Sequence, residues 1–122
     1  MAAQCPLAIV EDDAEVRSSL SFWLSTEGHP VLSFGTVAEM IQADLPDGCV
    51  FVIDEMLPDG SGVALLRALR RSGRGAPAVI ITTNPGPALR RECQEIGAVI
   101  VEKPLISDEL LGAIQQLLSQ GV

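Results

Sequence analysis

Short apolar runs alternate along the chain with stretches in which apolar positions recur every three or four residues, and this alternation predicts five strand–helix units. Leu7-Ala8-Ile9-Val10 is the first run, and it stops abruptly at Glu11-Asp12-Asp13. Val16, Leu20, Trp23 and Leu24 then recur at helical spacing, and Gly28 supplies a stop. Residues 31–34 predict a second strand, and Thr36-Val37-Ala38-Glu39 fits a capping box opening a brief helix that ends near Ala43. Val50-Phe51-Val52-Ile53 lacks polar alternation, as a parallel strand covered on both faces should. Leu65, Leu66 and Leu69 mark the next helix, which closes near Ser72-Gly73. Residues 78–81 predict a fourth strand leading into Thr82-Thr83, and Pro87 suits the first turn of a helix running to about Ile96. Residues 99–101 predict the fifth strand. Ser107-Asp108-Glu109 then opens a last helix with Leu110, Leu111, Ile114, Leu117 and Leu118 on its apolar stripe.

Parallel strands need crossover connections, so five such units imply an α/β fold with helices on both faces of one sheet. Right-handed crossovers leave few topologies. The expectation is a flavodoxin-like three-layer sandwich, sheet order 2-1-3-4-5, with residues 1–122 forming one domain. The 122 residues are too few for two ordinary domains, and 48% hydrophobic content is enough for a real core.

Charge narrows the function classes. Eight Lys plus Arg stand against 16 Asp plus Glu, for a net charge of -8. That balance argues against direct nucleic-acid binding and against an anionic membrane surface. Cys5, Cys49 and Cys93 are widely spaced without a CxxC pair, which disfavours a disulfide framework or a zinc site. No signal peptide or membrane-length apolar run is visible, so the expected location is cytoplasmic.

The residues that interrupt the apolar pattern gather just past strand ends: Glu11-Asp12-Asp13, Asp54-Glu55, Thr82-Thr83 and Glu102-Lys103. In an open α/β sheet this edge carries the ligand crevice, at the switch point between strands one and three. Clustered carboxylates repel unless a cation joins them, and Mg²⁺ is a hard ion that takes carboxylates together with phosphate oxygens. A carboxylate nucleophile near a metal, an ammonium and a hydroxyl has what aspartyl-phosphate formation requires. Taken singly, Asp54 or Asp12 reads as a turn or helix-capping aspartate, Thr82 as a loop cap and Lys103 as a solvated lysine. Arriving in register on four strand ends, they read as one site. Trp23, Phe22 and Met40 read as core or helix-surface packing, and His29 as a surface residue.

The runs Ile9-Val10-Glu11-Asp12-Asp13, Val52-Ile53-Asp54-Glu55-Met56-Leu57-Pro58-Asp59-Gly60-Ser61-Gly62, Ile81-Thr82 and Glu102-Lys103-Pro104 together resemble a bacterial two-component response-regulator receiver, CheY-like, with FixJ-type wording. The resemblance covers essentially the whole chain. It implies that Asp54 is the phosphoacceptor for a phosphohistidine on a sensor histidine kinase, and that Glu11 and Asp12 hold Mg²⁺ together with Asp54 and the Met56 backbone carbonyl. It implies also that Lys103 and Thr82 contact the phosphoryl group, and that Asp13 starts the first helix. The Lys103-Pro104 bond matches one that is commonly cis in the family. The implied role is signalling rather than dedicated enzymatic turnover, with a downstream protein or attached output domain as second partner. Two homodimer faces stay open: the fourth helix with the fifth strand and fifth helix, or the first helix.

Three features depart from that pattern. Ile100 stands at the family's aromatic switch position, three residues before the lysine, and the stretch from Gly97 to Lys103 is one residue short. Thr83 replaces a small residue beside the pocket, where its bulk should narrow access for small phosphodonors. Asn84-Pro85-Gly86-Pro87 should stiffen a loop that moves on activation. The expectation is a receiver that is phosphorylated but relays the event through an altered surface. A haloacid-dehalogenase-type phosphatase would carry its nucleophile after the first strand, the reverse of the order here. A scaffold that had lost phosphorylation would not need Asp54, Asp12, Thr82 and Lys103. The resemblance fits either a stand-alone receiver or a part of a longer regulator.

Overall fold

The structure is a computed structural model, described here for residues 6–43, 45, 48–103 and 108–120. The strands are β1 (Leu7–Val10), β2 (Val31–Phe34), β3 (Val50–Asp54), β4 (Met56–Leu57), β5 (Gly60–Ser61), β6 (Ala78–Thr82) and β7 (Ala98–Glu102). The helices are α1 (Ala14–Thr26), α2 (Val37–Gln42), α3 (Gly62–Arg71), α4 (Pro87–Ile96) and α5 (Asp108–Gln120). The five long strands form one parallel sheet in the order β2-β1-β3-β6-β7. Once the two short strands are set aside, that is the expected 2-1-3-4-5.

Those short strands are an addition to the sequence-based prediction. Met56 pairs with Ser61 and Leu57 with Gly60 in a small antiparallel hairpin directly after Asp54. Strands this short carry no periodicity to detect.

Alternation of side chains across the sheet builds two cores. Val10, Phe51, Ile53 and Ile80 point to one face and pack with Met40 of α2, Leu65, Leu66 and Leu69 of α3, and Cys93 of α4. Ile9, Val52, Val79 and Ile81 point to the other and pack with Leu20 and Leu24 of α1 and Leu110, Ile114 and Leu117 of α5. All five residues of β3 are buried, because both faces of this central strand are covered.

Helix ends follow local chemistry. Asp13 caps α1 by accepting from the N–H groups of Glu15 and Val16. Thr36 Oγ1 accepts from Glu39 N, while the Glu39 carboxylate accepts from Gly35 N, one residue earlier than a standard capping box. Gly97 ends α4 at φ 71°, a left-handed cap that costs glycine little. His29 departs from the surface reading: it is half-buried, and its Nε2 is shielded without a hydrogen-bond partner among the described residues. Pro104 and Ser107 lie outside the described residues, so the Lys103-Pro104 expectation falls there as well. Among the described residues no helix is long and apolar enough to cross a membrane.

Candidate functional site

The strand register brings the polar ends together. Val10 pairs with Ile53, Asp54 with Ile81 and Thr82 with Glu102, so the chain leaves β1, β3, β6 and β7 at nearly one level. Backbone bonds hold the exits in place: Glu55 N donates to Ile81 O at 2.9 Å and Lys103 N to Thr82 O at 3.0 Å.

Asp54 lies at the centre, only 2% exposed. Its Oδ1 accepts from Met56 N at 3.1 Å, and its Oδ2 lies 3.3 Å from Lys103 Nζ. Lys103 reaches it across the intervening strand β6. Glu11 is also buried, and its Oε2 accepts from Asp13 N at 3.0 Å. Glu11 Oε1 is buried with no hydrogen-bond partner among the described residues. Asp12 is exposed beside it. One carboxylate oxygen from each of Glu11, Asp12 and Asp54 lies within 4.8 Å of the others.

Three carboxylates so close are electrostatically costly. At an effective dielectric near 20, each ionised pair at that separation costs roughly 3 kcal/mol. The Lys103 ammonium contacts Asp54, and among the described residues no cationic group forms an ion pair with Glu11 or Asp12. Glu11 shows the consequence. Burial, with Asp54 and Asp12 adding to it against the Asp13 N–H, pushes its carboxyl up from 4.5 to about 7. An orphaned buried carboxylate oxygen, a raised proton affinity and an all-oxygen donor set fit a small hard cation.

Thr82 is buried, and its Oγ1 makes a long contact of 3.5 Å with Thr83 O, which leaves the hydroxyl weakly engaged. Thr83 is exposed, and Asn84 adopts φ 51° at the turn that follows. The Met56 side chain is 75% exposed, so its contribution to the site is through the main chain. Ile100 is half-buried and packs into the core beneath α2, α3 and α4.

Sequence reading gave no role to several residues that shape the site. Glu55 Oε1 accepts from Val63 N at 2.9 Å and so caps α3 from the residue after Asp54. Burial, together with Glu92 and Asp54, raises its carboxyl above the ordinary value. Asp59 in the hairpin turn accepts from Val37 N and Ala38 N at 2.9 and 3.1 Å, fastening the start of α2 to the segment that follows Asp54. An Asp-Gly pair in sequence signals a turn but not this distant partner. At Gly62 an added Cβ would sit 2.6 Å from Asp54 O and 3.0 Å from Ile53 Cγ2, so α3 approaches the strand end closer than any side chain permits.

Comparison with known proteins converges on one group. Residues 7–115 match the family described as the response regulator receiver domain. The transcriptional regulatory protein FixJ of Azorhizobium caulinodans is 29% identical over 124 residues, covering 99% of this chain and 58% of that protein. FixJ of Rhizobium meliloti is 36% identical over 111 residues, covering 88% and 54%. The chain thus spans little more than half the length of these relatives. A solved CheY-like receiver from Methanospirillum hungatei superposes with a TM-score of 0.88 at 23% identity, covering 98% of this chain and 97% of that one.

Proposed function

The chain belongs to the response regulator receiver domain family, and from that premise we propose that Asp54 accepts a phosphoryl group from a phosphohistidine of a sensor histidine kinase. The observation that carries this reading is the placement of one buried carboxylate, Asp54, against both the acidic pair and the Lys103 ammonium. In the reaction an Asp54 carboxylate oxygen bonds to phosphorus while the phosphorus–nitrogen bond to the donor imidazole breaks, and the imidazole leaves with the electron pair.

Each neighbour has a task in that transfer. Lys103, already 3.3 Å from Oδ2, offsets charge on the incoming phosphoryl oxygens. Thr82 supplies a hydroxyl whose present contact is weak enough to exchange. Met56 N holds Oδ1 and orients the nucleophile. Glu11, Asp12, Asp54 and the Met56 carbonyl are the groups that would hold Mg²⁺. When bound, the ion supplies neutralisation of phosphoryl charge beside the acids.

The role is signalling: an aspartyl phosphate adds roughly two negative charges, and the changed surface selects a downstream protein or an output domain. In this reading residues 1–122 are one cytoplasmic receiver unit that works without direct contact to nucleic acid or membrane. Ile100 is half-buried, packs against the core under α4 and has no ring or polar tip to turn, so the relay runs through packing beneath α4. No observation favours a phosphatase or a scaffold that has lost phosphorylation.

Intact-mass measurement after incubation with an acyl phosphate, with and without Mg²⁺, tests the chemistry. We expect a metal-dependent gain of one phosphoryl group that is absent from Asp54→Asn. Uptake from neither an acyl phosphate nor a phosphorylated kinase would overturn the reading. Uptake from the kinase alone would implicate Thr83 in restricting small donors.

A further inference from the structure

Arg17, half-buried early in α1, sends Nη1 back to the carbonyl oxygen of Glu11 at 2.7 Å. The same Nη1 end of the guanidinium lies against Gly35, just past β2. A Cβ at Gly35 would stand 3.0 Å from Arg17 Nη1, 3.6 Å from its Cζ and 3.7 Å from Glu39 Oε1. The missing side chain at Gly35 is therefore the space that the guanidinium occupies. This loop is itself held, with Gly35 N bonded to Glu39 Oε2 at 3.0 Å and the next two N–H groups of α2 bonded to Asp59. Glu11 N, in turn, donates to Phe34 O at 3.0 Å. Residue 11 is thus gripped at its N–H by β2 and at its carbonyl by an arginine wedged against the residue after β2.

We propose that Arg17 is a positioning residue for the acidic pair, holding the backbone of Glu11 so that the Glu11 and Asp12 carboxylates stay gathered at Asp54 for Mg²⁺. The inference rests on the metal-assisted reading above. Its physical basis is that acids which repel one another spread apart unless their backbone is restrained, and a preorganised donor set binds an ion more tightly. The hydrogen bond of Arg17 goes to the main chain of Glu11 rather than to a carboxylate of the cluster.

The sign of one measurement separates this role from the alternatives. If Arg17 acted only through its charge, removing that cation would tighten Mg²⁺ binding. If it only supported the fold, Mg²⁺ affinity would not change. Positioning alone predicts weaker binding. Titration calorimetry with MgCl₂ on Arg17→Gln, Gly35→Val and the double variant should show about a tenfold loss of affinity for each single change, the size typical of supporting groups. Because both changes remove the same contact, the double variant should be no weaker than Arg17→Gln. Phosphoryl uptake should need correspondingly more MgCl₂ and recover as MgCl₂ is raised.

Unchanged or tighter Mg²⁺ binding in Arg17→Gln, or independent losses that sum in the double variant, would overturn the proposal. Should Arg17→Gln fail to fold, Gly35→Val, which keeps the arginine and displaces it, decides alone. Wild-type protein that takes up no Mg²⁺ at millimolar concentration would instead overturn the metal reading on which the proposal rests.

Discussion

Lys103 Nζ stands 3.3 Å from Asp54 Oδ2, although 49 residues separate the two and β6 lies between their strands. Asp54 is nearly fully buried while the lysine side chain is 39% exposed. The pair is therefore a buried nucleophile reached by a solvent-facing cation, an arrangement suited to receiving a charged group from outside.

Replacing Lys103 by Met should spare the fold and slow phosphoryl uptake by at least tenfold. One preorganised cationic contact to developing charge is commonly worth about 2–4 kcal/mol of barrier. Intact-mass time courses at saturating Mg²⁺ give the rate, and a rate within twofold of wild type would exclude Lys103 from the transfer.

Glu11 makes the metal-free protein sensitive to pH. Its folded carboxyl titrates at about 7 against 4.5 unperturbed, so the folded state holds the proton more tightly. The associated stability is fully present below about pH 4.5, falls as pH rises through 7 and is absent above that. In EDTA at pH 8, Glu11→Gln should therefore be more stable than wild type, on the order of 1–3 kcal/mol. Excess Mg²⁺ should shrink or reverse the difference, because wild type gains a ligand that the variant holds poorly. Urea unfolding at pH 5 and pH 8, with and without Mg²⁺, checks both signs.

Gly62→Ala should be costly despite the small change. The added methyl would meet Asp54 O at 2.6 Å, and a main-chain atom at the end of a central strand cannot step aside as a flexible side chain can. We expect a loss of about 1–3 kcal/mol in urea unfolding, as for other overpacked sites, together with slower phosphoryl uptake as the Asp54 backbone shifts.

The fourth helix should report phosphorylation through its packing. Arg70 of α3 donates to the carbonyls of Ile96, Arg74 and Ala76, tying the end of α4 to the loop before β6. Arg67 of α3 adds ion pairs to Glu92 and Glu95 of α4, which are exposed enough to be weak. Phosphorylated protein should differ from Asp54→Asn in amide exchange across residues 87–102. Identical exchange would rule out a relay through this region. Arg70→Gln should raise exchange at the C-terminal end of α4 even without phosphate, because it leaves part-buried carbonyls unpaired.

How much of this was legible in the residues depends on the range of the interaction. Pro87 at the start of α4 and Asp13 capping α1 act through neighbouring backbone, and each was readable in place. The unbroken apolar run at residues 50–53 marked the central strand for the same reason. By contrast, the β4–β5 hairpin has too few residues for a pattern, and His29 beside Pro30 looked like a surface turn residue although the fold half-buries it. The Glu55 and Asp59 caps join the segment after β3 to distant backbone, which adjacent residues do not reveal.

The sequence by itself determined the five strand–helix units and the set of residues at the strand ends, because hydrophobic period and chain stops are local properties, while the sheet order was narrowed only to a few topologies. Tertiary structure alone decided which of those residues touch. It buried Glu11 and raised its proton affinity, set Lys103 on Asp54 across a strand, left Thr82 loosely bound, and wedged Arg17 against Gly35. Those outcomes depend on distance and solvent exclusion between segments far apart in the chain, and neither quantity is written in the order of the residues.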